Sequence, residues 1–244
     1  MNEPVLLQVE DLARRFGGVQ AVIGLTFSVR AGEILGVIGP NGSGKTTTFN
    51  LITGFYRPDR GHVRFAGEEI TGLRPYEVCS RGVCRTFQVA KPFRELTVFR
   101  NVLMGTLLRH PSPSVASKRA EEVLRLVGLE GRAQALAGSL TTIDQRRLEV
   151  ARALGTEPKL LLLDETMAGL TPTEVEVAIR LIAGLRDQGL TVVVVEHVMR
   201  AVMSLSDRIV VLDQGVKIAE GNPKEISSNS RVIQAYLGAE YRHA

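Results

Sequence analysis

Gly39-Pro40-Asn41-Gly42-Ser43-Gly44-Lys45-Thr46-Thr47 satisfies the pattern G-x-x-x-x-G-K-[ST] in full. The flanks are also suitable: Glu33–Ile38 reads as a buried strand, and Lys45–Thr53 reads as a helix stopped by Gly54. Glycines at this spacing let successive backbone N–H groups turn onto phosphate oxygens. The helix N-terminus adds its dipole to that cradle. Lys45 is expected to reach the terminal phosphates of a nucleoside triphosphate, and the Thr46 hydroxyl to ligate Mg²⁺.

A second chemical group follows an apolar run. Leu160–Leu163 leads into Asp164-Glu165, two carboxylates at the end of a buried strand. At the C-terminal end of a parallel strand such groups face the ligand crevice. Asp164 is expected to hold Mg²⁺, through water, and Glu165 to act as general base toward an attacking water. His197 directly follows the strand Thr191–Val195, which places an imidazole near the same crevice. His62, His110 and His243 lack such a setting and read as surface residues. Cys79 and Cys84 have no zinc spacing and no further ligands, so they read as structural.

The elements that position these groups alternate between strand and helix, which argues for an α/β fold. Residues 4–10 and 23–30 read as strands, the latter from the alternation of Leu25, Phe27 and Val29. Val63 and Phe65 begin another strand, and Pro75 and Gly82 bracket a short helix. Residues 92–155 lose strand periodicity and read as an inserted helical subdomain, with Ser114 as a helix cap. Residues 1–91 and 156–244 form the core around it, within a single domain. Thr171-Pro172-Thr173-Glu174 is a capping box with proline at the first helical position. Asp213-Gln214-Gly215 reads as a hairpin turn, and the tail from Pro223 as helical. The 244 residues are 44% hydrophobic and 23% charged, so a sizeable core is available and wholesale disorder is excluded. The net charge of +4 is scattered, and at 5% aromatic content no stacking platform for nucleic acid is evident. No apolar run approaches the length of a membrane span. The start Met1-Asn2-Glu3-Pro4 is polar and acidic, which makes the cytoplasm the expected compartment.

These motifs together resemble the ATP-binding subunits of ABC transporters over essentially the whole chain, and within them the ATPases of branched-chain amino acid importers. The segments carrying the resemblance are Ile34–Gly42 running on to Phe49–Tyr56, Arg85-Thr86-Phe87-Gln88, Met167-Ala168-Gly169-Leu170, Glu196-His197-Val198-Met199 and Ala235-Tyr236-Leu237-Gly238. The resemblance implies a P-loop core with a parallel sheet, an antiparallel β subdomain and a helical insertion. It implies ATP and Mg²⁺ as ligands, and ATP hydrolysis coupled to solute uptake. Phe16 matches the family's adenine-stacking aromatic. Gln88 matches its glutamine loop, where a side-chain amide ligates Mg²⁺ or orients water. Leu140-Thr141-Thr142-Ile143-Asp144 matches the signature Leu-Ser-Gly-Gly-Gln but lacks both glycines, and Thr171 stands where aspartate is usual.

Read from its residues, Thr142 with Gln145 forms a capping box, so a helix N-terminus still lies at the signature. Ile143 is expected to hinder approach to a phosphate and Asp144 to repel it, leaving a weakened signature face. The partners implied are a second ATPase subunit, identical or different, packed head-to-tail, and membrane permease subunits contacted near Gln88. The place implied is the cytoplasmic face of the plasma membrane, with no nucleic acid and no direct contact with the solute. The alternative is a soluble or regulatory ABC-type ATPase that hydrolyses weakly.

Overall fold

The computed structural model describes residues 4–87 and 92–240, the last four of these as backbone only. The chain begins with β1 (Val5–Phe16) and β2 (Val19–Arg30), joined through Gly17-Gly18. Leu25, Phe27 and Val29 are buried on one face of β2, as their alternation requires. β3 (Ile34–Ile38) leads through the glycine-rich loop into α1 (Lys45–Ile52). β4 (Arg60–Phe65), β5 (Glu68–Glu69), α2 (Pro75–Ser80) and β6 (Val83–Arg85) follow. The next stretch carries α3 (Val98–Thr106), α4 (Pro113–Leu126) and α5 (Thr142–Leu154), with one isolated bridge between Thr97 and Leu136. The rest comprises β7 (Leu160–Asp164), α6 (Pro172–Asp187), β8 (Thr191–Val195), α7 (Met199–Leu205), β9 (Arg208–Asp213), β10 (Val216–Gly221), α8 (Pro223–Ser227) and α9 (Ser230–Glu240).

Two sheets result: an antiparallel one ordered β2-β1-β4-β5, and a larger one ordered β10-β9-β3-β8-β7-β6. Within the larger sheet β9, β3, β8, β7 and β6 run parallel, and β10 returns antiparallel at the edge. All five residues of β3, β7 and β8 are buried, which matches their unbroken apolar sequence. Alternate residues serve opposite cores. Leu160 and Leu162 face the antiparallel sheet and Phe49, while Leu161 and Leu163 face the helices with Val98, Leu124 and Leu148. Each such leucine contributes about 1.5–3 kcal/mol through burial. The register pairs Val37 with Val195 and Asp164 with Val195. The C-terminal ends of β3, β7 and β8 are therefore level, and all three deliver their following residues to one edge of the sheet.

Some local expectations need correction. β1 and β2 run to Phe16 and from Val19, well beyond residues 4–10 and 23–30. Ser112, not Ser114, precedes α4, because Pro113 takes the first helical position, where its fixed φ and missing N–H suit the helix. The box at Thr171 is present as expected: Glu174 N–H donates to Thr171 Oγ1 at 3.4 Å, and Thr171 N–H donates to Glu174 Oε2 at 2.8 Å. The Gln214-Gly215 turn has positive φ at both residues, 48° and 82°, the hairpin geometry that matches strand twist.

Candidate active site

Two glycines of the phosphate loop, Gly39 and Gly44, sit where contacts leave no room for a side chain. A Cβ on Gly39 would lie 2.0 Å from Leu212 O, and one on Gly44 would lie 2.4 Å from Ala21 O. Both glycines also have positive φ, 153° and 102°. The loop is braced from outside, since Gly215 N–H donates to Ser43 O at 3.1 Å and Ile23 N–H to Gly215 O at 2.8 Å. Gly44 caps α1 without a side-chain hydrogen bond, so the first-turn N–H groups stay available to an anion. Lys45 is buried, and its Nζ donates to Gly39 O at 2.7 Å and Pro40 O at 3.0 Å. Burial lowers its pKa, with the Glu165 and Asp164 carboxylates opposing that shift. A cavity of about 590 Å³ opens over the loop, lined by Asn41–Thr47, Glu165, Gln214 and the β2 residues Val19, Gln20 and Ala21.

Asp164 is fully buried and makes a 2.8 Å ion pair from Oδ2 to Arg85 Nη2. Its backbone N–H donates to Thr86 Oγ1 at 3.2 Å. Burial raises its pKa, and the Arg85 guanidinium beside it pulls the other way. Arg85 also donates to Asn50 Oδ1 at 2.6 Å and lies over the Phe49, Phe55 and Phe87 rings. Asp164 Oδ1 is buried with no hydrogen-bond partner among the described residues. An orphaned carboxylate oxygen on Asp164 and the exposed hydroxyl of Thr46 are oxygen donors of the kind that suits Mg²⁺, a hard cation. Glu165 follows directly, at the left-handed φ of 49°. His197 Nε2 lies 2.7 Å from Glu165 Oε1, so residues that follow β8 and β7 meet where Glu165 lines the cavity.

The structure thus brings together Gly39–Thr47, Asp164, Glu165 and His197. Gln88 lies outside the described residues, as does His243. Phe16 does not line the cavity; it packs edge-on against Tyr56 at 5.1 Å and under Arg14 at 4.9 Å. Val19, 68% exposed just past the same turn, does line it. That apolar exposed valine, and the Arg85–Asp164 pair, were missed in the sequence. A valine three residues after Phe16, just past Gly17-Gly18, was the available signal for the first.

None of Leu140–Asp144 lines this cavity. The capping expectation there is corrected by one residue. Thr141 is the cap, its Oγ1 accepting Asp144 N–H at 3.3 Å, and Thr142 is the first helical residue. Gln145 donates from Nε2 to Leu140 O at 3.0 Å, which draws the chain before Thr141 onto the helix and sets the start there. Asp144 pairs with Arg147 at 3.5 Å. Ile143 is half-buried and lines a small apolar cavity beside α6 with Leu170, Ala178, Leu181 and Ile182.

The profile described as ABC transporter matches residues 22–168, and one described as branched-chain amino acid ATP-binding cassette transporter matches residues 216–242. The chain is 42% identical to the high-affinity branched-chain amino acid transport ATP-binding protein BraF of Pseudomonas aeruginosa, over 98% of this chain and 99% of that protein. It is equally, 42%, identical to the corresponding LivG of Escherichia coli over the same shares. Among solved structures, an ATP-binding cassette of an ABC transporter in its ADP conformation superimposes with a TM-score of 0.88 at 32% identity, covering 96% of this chain and 99% of that one. A dimeric cassette in a post-hydrolysis state, bound to ADP and Pi, superimposes with a TM-score of 0.81 at 26% identity, covering 89% and 99%.

Proposed function

The chain belongs to the ABC transporter family, as an ATP-hydrolysing subunit, and from that premise we propose that it energises a membrane permease importing branched-chain or related amino acids. The observation that carries the hydrolytic assignment is Glu165, held against His197 on the wall of the cavity that the phosphate loop floors. The amino-acid assignment draws support from the match of residues 216–242 and from what BraF and LivG are named for.

In this reading the ATP phosphates lie against the N–H groups of Gly42–Thr46, and Lys45 turns from the loop carbonyls to the β- and γ-phosphates. Thr46, Asp164 and Gln88 would hold Mg²⁺, which would neutralise phosphate charge. Glu165 accepts a proton from the water that attacks the γ-phosphorus, and His197 orients that carboxylate. Water and ATP give ADP and phosphate, the bond to the β-phosphate oxygen breaking as the new P–O bond forms. Val19 on the cavity wall offers the adenine an apolar contact, and Phe16 reaches the base only by leaving its packing against Tyr56.

Leu140–Asp144 serves a nucleotide held by a second cassette packed head-to-tail. The helical residues 92–155 and the Gln88 segment meet the permease at the cytoplasmic face of the membrane. No helix among the described residues is long and apolar enough to cross a membrane. The altered signature keeps a second reading in play, a partner ATPase of different sequence. The first turn of α5 already carries its own Thr141 cap and an Asp144 carboxylate, which offset the positive helix end that a phosphate seeks.

The test is affinity isolation of the tagged chain from its native membranes, followed by reconstitution and uptake of labelled leucine. ATP-dependent leucine uptake that is lost with Lys45→Ala supports the reading. Uptake of leucine at the same rate without the chain refutes it, as does isolation with nucleic acid at physiological salt and no membrane subunit.

A further inference from the structure

Glu165 occupies a backbone conformation that a residue with a Cβ adopts at a cost, φ 49°. Something must hold it there, because the carboxylate has to meet both a water and His197. The turn that begins at Glu165 is tied to the end of β8 at two points. Glu165 N–H donates to Val195 O at 2.8 Å. Met167 N–H donates to Glu196 Oε1 at 2.7 Å, and Thr166 Oγ1 lies 3.4 Å from the same oxygen. Glu196 is 1% exposed, so this carboxyl is a buried group spent on local geometry rather than on solvent. Its neighbour in the chain is His197, the residue that meets Glu165 Oε1. One side chain therefore joins the two backbone segments whose side chains must touch.

We infer that Glu196 is a positioning residue for hydrolysis: its side chain clamps the Glu165–Met167 turn to the end of β8 and so fixes Glu165 against His197. The inference rests on Glu165 being the base. Two further observations suit a clamp better than a charge. Glu196 Oε2 is buried without a hydrogen-bond partner among the described residues, which a neutral carboxyl tolerates better than an anion. Burial pushes the Glu196 carboxyl up to about 7, against the Met167 and His197 N–H groups that lower it, with the Glu165 charge adding to the rise. Reach and shape, rather than charge, are then the properties that matter.

The experiment compares Glu196→Gln, Glu196→Asp and Glu196→Ala in the full chain, reading MgATP turnover, KM and thermal unfolding. Gln keeps an acceptor at the same reach, so its kcat is expected within about threefold of the parent. Asp keeps the charge but is one methylene short of Met167 N–H. Asp and Ala are each expected to lower kcat by roughly 10–100-fold with KM nearly unchanged, the scale of a small misplacement of a reacting group. Introduced into Glu165→Gln, the Asp change is expected to cause no further loss, since the group being positioned is already disabled. Wild-type kcat in both Asp and Ala overturns the clamp, as does a Gln variant as slow as Ala. A full additional loss in the Glu165→Gln background overturns it too. If instead Glu165→Gln alone retains turnover, it is the assignment of the base that fails.

Discussion

Replacing Arg85 with methionine should be among the most damaging single changes to the stability of this site. Arg85 and Asp164 are 7% and 0% exposed and meet at 2.8 Å. Methionine keeps an apolar stem among the Phe49, Phe55 and Phe87 rings, so the change removes chiefly the charge. Breaking a buried pair from one side leaves the other charge uncompensated, at a cost of about 3–5 kcal/mol. For a chain of this size each kcal/mol lowers Tm by about 2–4 °C, so the expected fall is roughly 6–20 °C. Differential scanning calorimetry of the nucleotide-free chain reads this directly. A companion variant, Arg85→Met with Asp164→Asn, removes both charges and should recover at least half of the loss, because an unpaired neutral amide is cheaper to bury than an unpaired anion. A Tm within 2 °C of the parent for the single variant, or a double variant less stable than the single, would refute the reasoning that desolvated charge dominates here.

The same physics sets expectations elsewhere in the site. Lys45→Ala should weaken ATP binding by roughly 10–100-fold in a fluorescence titration, the equivalent of about 1.5–3 kcal/mol for a charged hydrogen bond, and unchanged affinity would count against a phosphate contact. Combining Thr142→Gly, Ile143→Gly and Asp144→Gln should raise steady-state ATPase of the isolated chain roughly tenfold, about 1.4 kcal/mol of regained phosphate contact. Those glycines should also lower Tm, since a half-buried isoleucine beside α6 is removed and glycine costs about 1 kcal/mol per helical position. No increase in rate would mean that Thr141 and the helix N-terminus already suffice.

Local motifs were legible where one stretch of chain does the whole task. The phosphate loop, the strand ending in Asp164-Glu165 and the Thr171 capping box each need only neighbouring residues, and each lies where the pattern puts it. Legibility failed where regular periodicity is broken or where choice falls between equivalent neighbours. β1 continues past Glu10, but register shifts between Val9 and Leu12 and between Leu12 and Arg14, with Asp11 at φ 47°, erase the alternation that marks a strand. Thr141 and Thr142 are chemically equal candidates for a cap, and the Gln145 bond to Leu140 O separates them. The Arg85–Asp164 pair joins residues 79 apart in sequence, and the Glu196 clamp joins residues 29 apart. Both depend on strand order in the parallel sheet, which no local window contains. Glu196 was visible only as the residue before His197.

The central claim is that Glu165 is the group that takes the proton from the attacking water. Its most direct test is rapid-quench hydrolysis of MgATP by Glu165→Gln, read beside ATP affinity in the same preparation. The amide keeps the shape and one acceptor while removing the basic carboxylate. The account predicts ATP affinity within about threefold of the parent, with hydrolysis slowed by roughly 10²–10⁴, the range for loss of a general base. Hydrolysis at the parent rate with ATP bound would contradict it and assign the base to another group.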